Sequence, residues 1–312
     1  MKAVKYSNYG GIDVLKVITD ADKPVIHDGQ VLVEVEAASI NPIDFKVRLG
    51  YMKDFVPLKF PATIGGDFAG VVKEIRGGNS GFKAGDKIYG QAIVLNGGSG
   101  SFAEFVAANI ANAAHAPKTI DFLKAAALPL AGASAIQAIE DAIKLKKGQK
   151  ILIHGGAGGI GGIAIQLAKS IGAQVATTVS EKDVSFVKEL GADIVIDYHK
   201  QQFDKDLKDF DAVLDLVGQD ATAKSIKVLK KGGILVSLAG RPDEALAAKN
   251  GVTAMGQMTV TDTKHLDRLA ALVDKGVIRI HIDKVFTIDR ALEAFTYAES
   301  SHPRGKVVLI MK

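Results

Sequence analysis

The sequence predicts an α/β fold with two lobes, a β-rich lobe and a lobe built on a doubly wound parallel sheet. Residues 1–120 contain short segments in which apolar and polar positions alternate, which is typical of half-buried strands. From about Asp121 helix and strand patterns alternate with short connections, and this order predicts a parallel sheet with helices on both faces. The length of 312 residues agrees with two domains rather than one.

Strands are predicted in the first lobe at residues 31–40, 69–77 and 86–94. The segment "VLVEVEAASI" (31–40) shows the alternation of a strand with one buried face. The glycine-bearing segment "GGNSGFKAGD" (77–86) reads as a turn between two of these strands, because glycine and asparagine favour turn conformations.

The second lobe begins with a helical segment at 121–143 that is interrupted near Pro129. The elements predicted after it are a strand at 150–154, a helix that follows the glycines, a strand at 174–179, a helix at 181–191, strands at 193–198 and 211–218, a helix at 221–232 and a strand at 233–240. A helix at 264–276, a strand at 285–288, a helix at 289–300 and a strand at 305–311 complete the chain. These last elements are expected to return to the first lobe.

The glycines of "KILIHGGAGGIGG" (150–162) predict a dinucleotide site. Gly156, Gly158 and Gly161 form G-x-G-x-x-G between a strand and an amphipathic helix, where bare backbone can approach a pyrophosphate. The first helical residues, Gly159 and Ile160 with Gly161, offer free N–H groups and the positive end of the helix dipole. A turn needed only for close packing of helix on strand remains the alternative.

Two other kinds of nucleotide or nucleic-acid site are disfavoured. A phosphate-binding loop of the Walker type would carry Lys and then Ser or Thr where this chain has Gly162 and Ile163. The formal net charge is +4, and basic residues are interleaved with acidic ones, so no basic face for nucleic acid is apparent.

The composition limits the chemistry. The chain has no cysteine, which excludes disulfides, thiolate nucleophiles and cysteine-ligated zinc. The histidines are scattered, and each is expected on the surface or in packing rather than on a metal: His27, His115, His154, His199, His265, His281 and His302. The sequence begins at Met1 without an apolar leader and has no run of eighteen apolar residues, so a cytoplasmic protein without membrane contact is expected.

Several ordered motifs run through nearly the whole chain: "SINPIDFKVRLG" (39–50), "FPATIGGDFAGVV" (60–72), "AAALPLAGASAIQAI" (125–139), "HGGAGGIG" (154–161), "LDLVG" (214–218) and "HPRGKVVL" (302–309). In these the chain resembles the zinc-free quinone oxidoreductase and enone (alkenal) reductase branch of the medium-chain dehydrogenase/reductase superfamily. The resemblance implies a GroES-like lobe at 1–122 and 262–312 and a Rossmann NADP-binding domain at 123–261. It also implies a homodimer.

The resemblance implies an enzyme that uses NADPH to reduce quinones or α,β-unsaturated carbonyl compounds. Zinc-dependent alcohol dehydrogenases of the superfamily have cysteine where this chain has Asn41, and histidine then glutamate where it has Gly66 and Asp67. No metal is therefore expected. An enoyl-thioester reductase and a non-catalytic NADPH-binding structural or redox-sensing protein remain alternatives.

Such a substrate accepts hydride at carbon while negative charge develops on the conjugated oxygen, so catalysis needs positioning and oxyanion stabilisation. The enone-reductase branch has a lysine close to cofactor and substrate at the position of Lys46, which is our first choice for the donor. A solvated lysine is the alternative. Asn41 is expected either to bond substrate or to hold the turn before Pro42, and Tyr51 to line the pocket or to pack.

Further cofactor contacts follow from the motif matches. Ser134 is expected near the nicotinamide and Val217 beneath the ribose, with backbone contacts from Leu238 and Ala239; Arg304 is a phosphate candidate or a solvated arginine.

The choice between NADPH and NADH depends on the end of the second strand of the Rossmann domain. NAD-preferring relatives place an acid there, where this chain has Thr178. Ser180, Lys182 and Tyr198 resemble the family's 2′-phosphate site, although Asp183 stands where relatives commonly have lysine. We expect a preference for NADPH that Asp183 and Glu181 weaken.

Overall fold

The computed structural model describes residues 1–77 and 81–311. Unit 1 comprises Met1–Ala133, Thr261–Lys275 and Ile280–Lys312, and unit 2 comprises Ser134–Val260 and Gly276–Arg279. Part of the turn predicted at 77–86 lies outside the described residues. Within the described residues, no helix combines the length and the apolar character that crossing a membrane requires.

The described strands are β1 Ala3–Tyr6, β2 Lys16–Ile18, β3 Gln30–Ser39, β4 Ala62–Thr63, β5 Asp67–Arg76, β6 Lys87–Gln91, β7 Phe105–Asn109, β8 Ala113–His115, β9 Lys150–His154, β10 Gln174–Val179, β11 Ile194–Asp197, β12 Phe210–Asp215, β13 Leu229–Ser237, β14 Thr253–Gly256, β15 Ile282–Thr287 and β16 Lys306–Ile310.

The described α-helices are α1 Pro42–Arg48, α2 Phe122–Ala126, α3 Pro129–Ile136, α4 Gly159–Ile171, α5 Val184–Glu189, α6 Phe203–Asp206, α7 Asp220–Ser225, α8 Glu244–Lys249, α9 Thr263–Asp274 and α10 Ala291–Ser300. The predicted interruption near Pro129 is confirmed, because α2 ends at Ala126 and Pro129 begins α3. A π-helix at Gln137–Ala142 follows α3.

Unit 1 contains a seven-stranded sheet in the order β15-β16-β3-β5-β6-β8, with β7 also paired to β3. Strand β3 buries alternate side chains, as its sequence predicts. Strand β16 runs antiparallel to β3, with Val308 opposite Ser39. The C-terminal strand therefore lies beside the strand that leads into α1. Apolar residues of these strands and of α10 form one core, which includes Phe68 and Phe295.

Unit 2 contains a six-stranded parallel sheet in the order β11-β10-β9-β12-β13-β14. From β9 the chain builds outward to β11 on one side, and from β12 to β14 on the other. The strand order thus reverses between β9 and β12, and ligands of such sheets bind at this point, beyond the carboxyl ends of the strands. The predicted α/β class with a doubly wound parallel sheet is confirmed.

Two sequence-based bounds differ from the structure. The helix predicted at 221–232 is wrong in its second half, because β13 begins at Leu229, which pairs with Phe210 of β12. The first domain boundary was predicted at 122/123, whereas unit 1 continues to Ala133. Gly132 packs so closely on Leu269 that an added Cβ would lie 2.1 Å from its Cδ2, which ties this helix to unit 1.

Candidate functional site

The turn between β9 and α4 has two glycines that the protein's own packing requires. A Cβ on Gly156 would lie 2.1 Å from the Thr177 Oγ1 atom, and a Cβ on Gly161 would lie 2.3 Å from the Gly155 carbonyl oxygen. Both distances are far below van der Waals contact. Packing alone therefore accounts for glycine at these two positions, and their contact with a cofactor stays a prediction.

Gly158 differs, because an added Cβ there would meet nothing closer than the Gly155 oxygen at 3.4 Å. Its φ of −74° suits any residue, so neither packing nor backbone strain demands glycine. Gly158 is the N-cap of α4 and brings no side chain to the first-turn N–H groups. A bare N-cap beside free N–H groups fits a pyrophosphate, because only a residue without Cβ lets the phosphate reach the backbone.

Asp215 organises the next loop along the carboxyl edge of the sheet. One of its oxygens, Oδ1, accepts hydrogen bonds from the N–H groups of Val217 at 3.0 Å and Gly218 at 2.9 Å. The other, Oδ2, accepts from the hydroxyls of Thr222 at 2.6 Å and Ser237 at 3.0 Å. Burial opposes ionisation, but these bonds outweigh it and hold the pKa of Asp215 below its usual range.

Asp215 also reaches two predicted cofactor contacts indirectly. The Ser237 hydroxyl accepts from the N–H of Ala239, and the Asp215 backbone carbonyl accepts from the N–H of Leu238. Asp215 was not among the residues predicted from the sequence. The sequence feature that could have identified it is an acidic residue at the end of a buried strand, where an unpaired charge would be energetically costly.

His154, the last residue of β9, connects the glycine turn to α7. The Ser225 hydroxyl donates to the Ala221 carbonyl at 2.6 Å, so it must accept from the His154 Nε2–H at 2.8 Å. The Nδ1 atom then accepts from the Thr178 hydroxyl at 3.0 Å, and that oxygen accepts from the Gly155 N–H. Each polar atom of this network is thus assigned as a donor or an acceptor, and the imidazole ring of His154 is neutral.

Burial supports this protonation state. His154 is 1% exposed, and desolvation lowers its pKa to about 4 against a partial opposing effect of Asp215. The expectation that this histidine belongs to packing rather than to a metal fits these contacts. Thr178, the residue in place of the acid of NAD-preferring relatives, uses its hydroxyl within this network.

Of the predicted 2′-phosphate residues, Ser180 and Lys182 follow β10 and Tyr198 follows β11. Ser180 donates its hydroxyl to the Asp183 carboxylate at 3.2 Å, and Asp183 is buried. The acid expected to oppose the phosphate thus accepts a local hydrogen bond. Lys182 is exposed, and Tyr198 stacks on its neighbour His199 with ring centroids 4.3 Å apart.

A second lysine, which the sequence analysis missed, lies in the same region. Lys200 Nζ is 2.7 Å from the Glu181 carboxylate and 3.8 Å from that of Asp197. Glu181 therefore already has a cationic partner. How far Glu181 and Asp183 weaken the positive field at this site stays a prediction.

The remaining predicted cofactor residues have different surroundings. Ser134 is buried in α3, and its hydroxyl lies 2.7 Å from that of Thr259. Val217 is half-exposed on the loop that Asp215 holds. Arg304 is partly buried in the segment before β16. Which of these side chains contact the cofactor stays a prediction.

Helix α1 of unit 1 carries the predicted catalytic residues. Asn41 is its N-cap and forms a reciprocal capping box with Asp44, whose carboxylate accepts the Asn41 N–H at 2.8 Å. Lys46 is exposed on the helix, and its carbonyl accepts the N–H of Tyr51 at 2.9 Å. The Tyr51 side chain is 69% exposed.

Asn41 belongs to a buried polar cluster that also contains Asp44, Asp67 and Lys306. The Asn41 amide nitrogen donates to Asp67 Oδ2 at 2.8 Å, while its amide oxygen accepts from the Lys306 ammonium. Lys306 also donates to the Ile40 carbonyl at 2.8 Å. Burial raises the pKa of Asp44 to about 7, raises that of Asp67 and lowers that of Lys306, against the attraction between the acids and the lysine.

This cluster does not fit a catalytic zinc site. Asn41 supplies a neutral amide whose oxygen is already bonded to an ammonium group, and Gly66 supplies no ligand atom. A divalent cation beside the Lys306 ammonium would also be repelled. Among the described residues, no group of three or more His, Asp or Glu side chains is arranged to hold a metal.

Comparison with known proteins gives the same family for both parts of the chain. The alcohol dehydrogenase GroES-like domain matches residues 27–118, and a family described as zinc-binding dehydrogenase matches residues 190–309. The chain is 40% identical to 2-methylene-furan-3-one reductase of Solanum lycopersicum, over 99% of this chain and 79% of that protein. It is 38% identical to the chloroplastic NADPH-dependent alkenal/one oxidoreductase of Arabidopsis thaliana, with the same coverage of 99% and 79%.

Solved structures agree. The quinone oxidoreductase from Coxiella burnetii superposes with a TM-score of 0.91 and 35% identity, covering 100% of this chain and 99% of that one. The Escherichia coli quinone oxidoreductase complexed with NADPH superposes with a TM-score of 0.88 and 25% identity, with both chains fully covered at 100%. With its GroES-like and Rossmann-type parts, the chain belongs to the quinone and alkenal oxidoreductases of the medium-chain dehydrogenase/reductase superfamily.

Proposed function

We propose that this chain is a zinc-independent, NADPH-dependent reductase that transfers hydride to quinones or α,β-unsaturated carbonyl compounds. The observation that carries the proposal is the bare Gly158 N-cap, which neither packing nor strain explains. The similarity to an NADPH-dependent alkenal/one oxidoreductase supports the substrate class.

The test is a screen of NADPH oxidation against 1,4-quinones, alkenals and enoyl thioesters. Turnover of the first two classes is expected. Selective turnover of enoyl thioesters would favour the thioester-reductase alternative, and tight NADPH binding without turnover would favour a non-catalytic role. Zinc content and activity after treatment with a chelator belong to the same experiment, since loss of activity that added zinc restores would refute zinc independence.

When bound, NADPH supplies the hydride, and the chain must stabilise the negative charge that develops on the conjugated oxygen of the substrate. We propose Lys46 as that donor, because it is an exposed ammonium on α1. The Lys46→Ala variant should lower enone turnover about 10²-fold, as expected for losing one such donor. Lys53→Ala, which removes another exposed lysine nearby, is the matched control and should retain activity.

Asn41 and Tyr51 are given different roles. Both ends of the Asn41 amide have partners in the protein, so we favour the role of holding the turn before Pro42 over substrate binding. Tyr51 and the neighbouring Phe55 expose 69% and 80% of their surfaces, and we propose that they offer apolar area to the substrate ring or chain.

Ser180, Lys182 and Tyr198 are proposed to bind the 2′-phosphate, with Lys200 as a further source of positive charge. We expect a preference for NADPH of about tenfold to a hundredfold, or about 1.4–2.7 kcal/mol. In kcat/KM measurements, Lys182→Ala should reduce the preference, whereas Lys188→Ala on an exposed position of α5 should not.

On the sequence alone, Asp183→Lys is expected to sharpen the preference for NADPH, because it restores the lysine that relatives commonly have at this position. In the structure, however, Asp183 is buried and accepts the Ser180 hydroxyl. The substitution would bury an ammonium and remove a partner of a proposed phosphate ligand. Glu181→Gln is the better test, because it frees Lys200 without burying a charge. If the unmodified protein has an equal or higher kcat/KM with NADH than with NADPH, the proposed 2′-phosphate site is wrong.

The predicted homodimer and cytoplasmic location also remain proposals. Strand β14 is an edge of the unit 2 sheet, and Met255, Met258 and Val260 on or after it are exposed. An edge strand with apolar neighbours can pair with a second copy across a two-fold axis. Met258→Lys should therefore lower the mass measured by light scattering, and fractionation of the source cell would test the location.

A further inference from the structure

The buried cluster of unit 1 is assembled from distant parts of the chain by the order β16-β3-β5. Ser39, the last residue of β3, pairs with Asp67, the first residue of β5, and with Val308 of β16. Lys306, the first residue of β16, therefore lies beside Asn41. Three strand ends meet where α1 begins.

We propose that Lys306 is an internal cation that takes the place of a metal in unit 1 and acts as a positioning residue for Asn41 and helix α1. This inference rests on the proposed reductase function. A family described as zinc-binding dehydrogenase matches part of the chain, yet the residues at the metal positions do not fit zinc. The ammonium group provides the positive charge there instead.

The contacts of the ammonium are those of a built site. Lys306 is 5% exposed and donates to the Ile40 carbonyl and the Asn41 amide oxygen. Asp67, which is fully buried, also accepts the N–H of Leu130, so its second face is occupied. A lysine inside a protein core is rare unless it is paired.

Asn41 is oriented by opposite charges at its two ends. The ammonium of Lys306 requires the amide oxygen on its side, and the carboxylate of Asp67 requires the amide nitrogen on the other. A reversed amide would place donor against donor and acceptor against acceptor. The ammonium thus fixes the N-cap of α1, the short helix that presents Lys46.

The other titratable groups around Lys306 agree with this role. Asp67 and Asp44, both buried, attract the Lys306 ammonium electrostatically. Asp44 uses Oδ2 for the Asn41 N–H, and its Oδ1 is buried without a hydrogen-bond partner among the described residues. Removing the ammonium therefore disturbs both side chains that cap α1.

The test is a double-mutant cycle between Lys306→Met and Asn41→Ala, with kcat measured at saturating NADPH and enone. Lys306→Met should lower kcat about 10²-fold, the effect of a small misplacement transmitted to the reacting groups. If Lys306 acts through Asn41, the double variant should turn over as slowly as Asn41→Ala alone. Losses that multiply would overturn the proposal, as would an unchanged kcat in Lys306→Met.

Two controls separate positioning from general damage. Leu309→Ala removes buried apolar atoms from the same strand, so it should lower stability while leaving kcat of the folded protein unchanged. The NADPH dissociation constant of Lys306→Met, measured by calorimetry, should stay within about twofold of the unmodified value. A large rise would mean that Lys306 serves the cofactor instead, and would overturn the positioning role.

A further variant addresses folding and charge balance. If Lys306→Met does not fold, the pair Lys306→Met and Asp67→Asn removes one charge of each sign and should fold while still lacking the ammonium. The kcat of this double variant should remain low. Full recovery of kcat would mean that Lys306 only balances the charge of Asp67, and would overturn the positioning role. The free energy of urea unfolding can be measured for the same four proteins of the Asn41 and Lys306 cycle, and it does not depend on turnover. If the two substitutions are coupled in stability but the unmodified protein reduces no substrate, the reductase function is rejected and the Lys306–Asn41 contact is confirmed.

Discussion

The two units each bury a polar network beside a proposed site, and the networks differ in their electrostatics. The His154 network of unit 2 is neutral at the ring, and the hydrogen bonds assign a role to each member from Gly155 to Ala221. The Lys306 cluster of unit 1 contains an ammonium, two carboxyl groups and one carboxyl oxygen that has no hydrogen-bond partner in the described part of the chain. Neutral satisfied networks rigidify a fold, whereas buried charges depend on every partner being present.

The two networks also respond to pH in opposite directions. His154 has a lowered pKa, so the unfolded chain binds the proton first and acid destabilises unit 2. Asp44 has a raised pKa of about 7, so the folded chain holds its proton longer and rising pH between about 4 and 7 opposes folding of unit 1. Burial alone therefore does not determine how a titratable group affects stability. Burial disfavours the charged form of both groups, but this form is protonated for histidine and deprotonated for aspartate, so stability responds to pH in opposite directions.

The largest expected effect breaks the charged cluster. Lys306→Met removes an ammonium that is bonded to Asn41 and attracts two buried carboxyl groups. It should cost about 3–5 kcal/mol in urea unfolding, the range for leaving a buried charge uncompensated. Adding Asp67→Asn should recover part of this loss, because it removes the unpaired charge. A single variant as stable as the unmodified chain would contradict a stabilising role of the buried ammonium.

The next effect tests the neutral network through pH. The contribution of His154 to stability should fall by up to about 3 kcal/mol as the pH decreases from 6.5 to 4, since each unit of pKa difference is about 1.4 kcal/mol. Above pH 6.5 this contribution should be constant. His154→Gln removes the titrating ring, so the curves of the two proteins should converge towards low pH; parallel curves would show that another group causes the acid loss.

A smaller effect separates packing from binding in the turn that His154 supports. Gly156→Ala should cost about 1–3 kcal/mol because its methyl group collides with Thr177. Gly158→Ala should change stability by no more than about 0.5 kcal/mol, but weaken NADPH binding about tenfold by blocking the backbone. Equal NADPH affinities for Gly158→Ala and the unmodified protein would remove Gly158 from the cofactor site.

Sequence periodicity predicted most of unit 2, because buried parallel strands and amphipathic helices have strong local patterns. It could not separate the glycines that serve packing from the one that does not, since the contact with Thr177 is between residues distant in sequence. Lys200 was missed for a similar reason. Its relation to Glu181 appears only after β10 and β11 lie side by side.

In unit 1 the motif match identified Asn41, but it did not predict the hydrogen-bond partners of this residue. Lys306 lies within the motif from which Arg304 was chosen as a phosphate candidate, and nothing local in the sequence distinguishes Lys306 from an ordinary basic residue. Only the antiparallel pairing of β16 with β3 brings the ammonium to Asn41. Buried charges are thus the part of a site that sequence patterns predict least, because their cost is offset by contacts far along the chain.

The pairing of β16 with β3 has a consequence for the order in which the chain folds. His154 and Thr178 are 24 residues apart, whereas Asn41 and Lys306 are 265 apart. By the logarithmic dependence of loop closure on length, the longer closure costs about 2 kcal/mol more. During synthesis the earlier strands emerge well before β16, so the unit 2 network can form while the unit 1 cluster still lacks its ammonium. A nascent chain should therefore form its glycine turn between β9 and α4 first and the N-cap of α1 last.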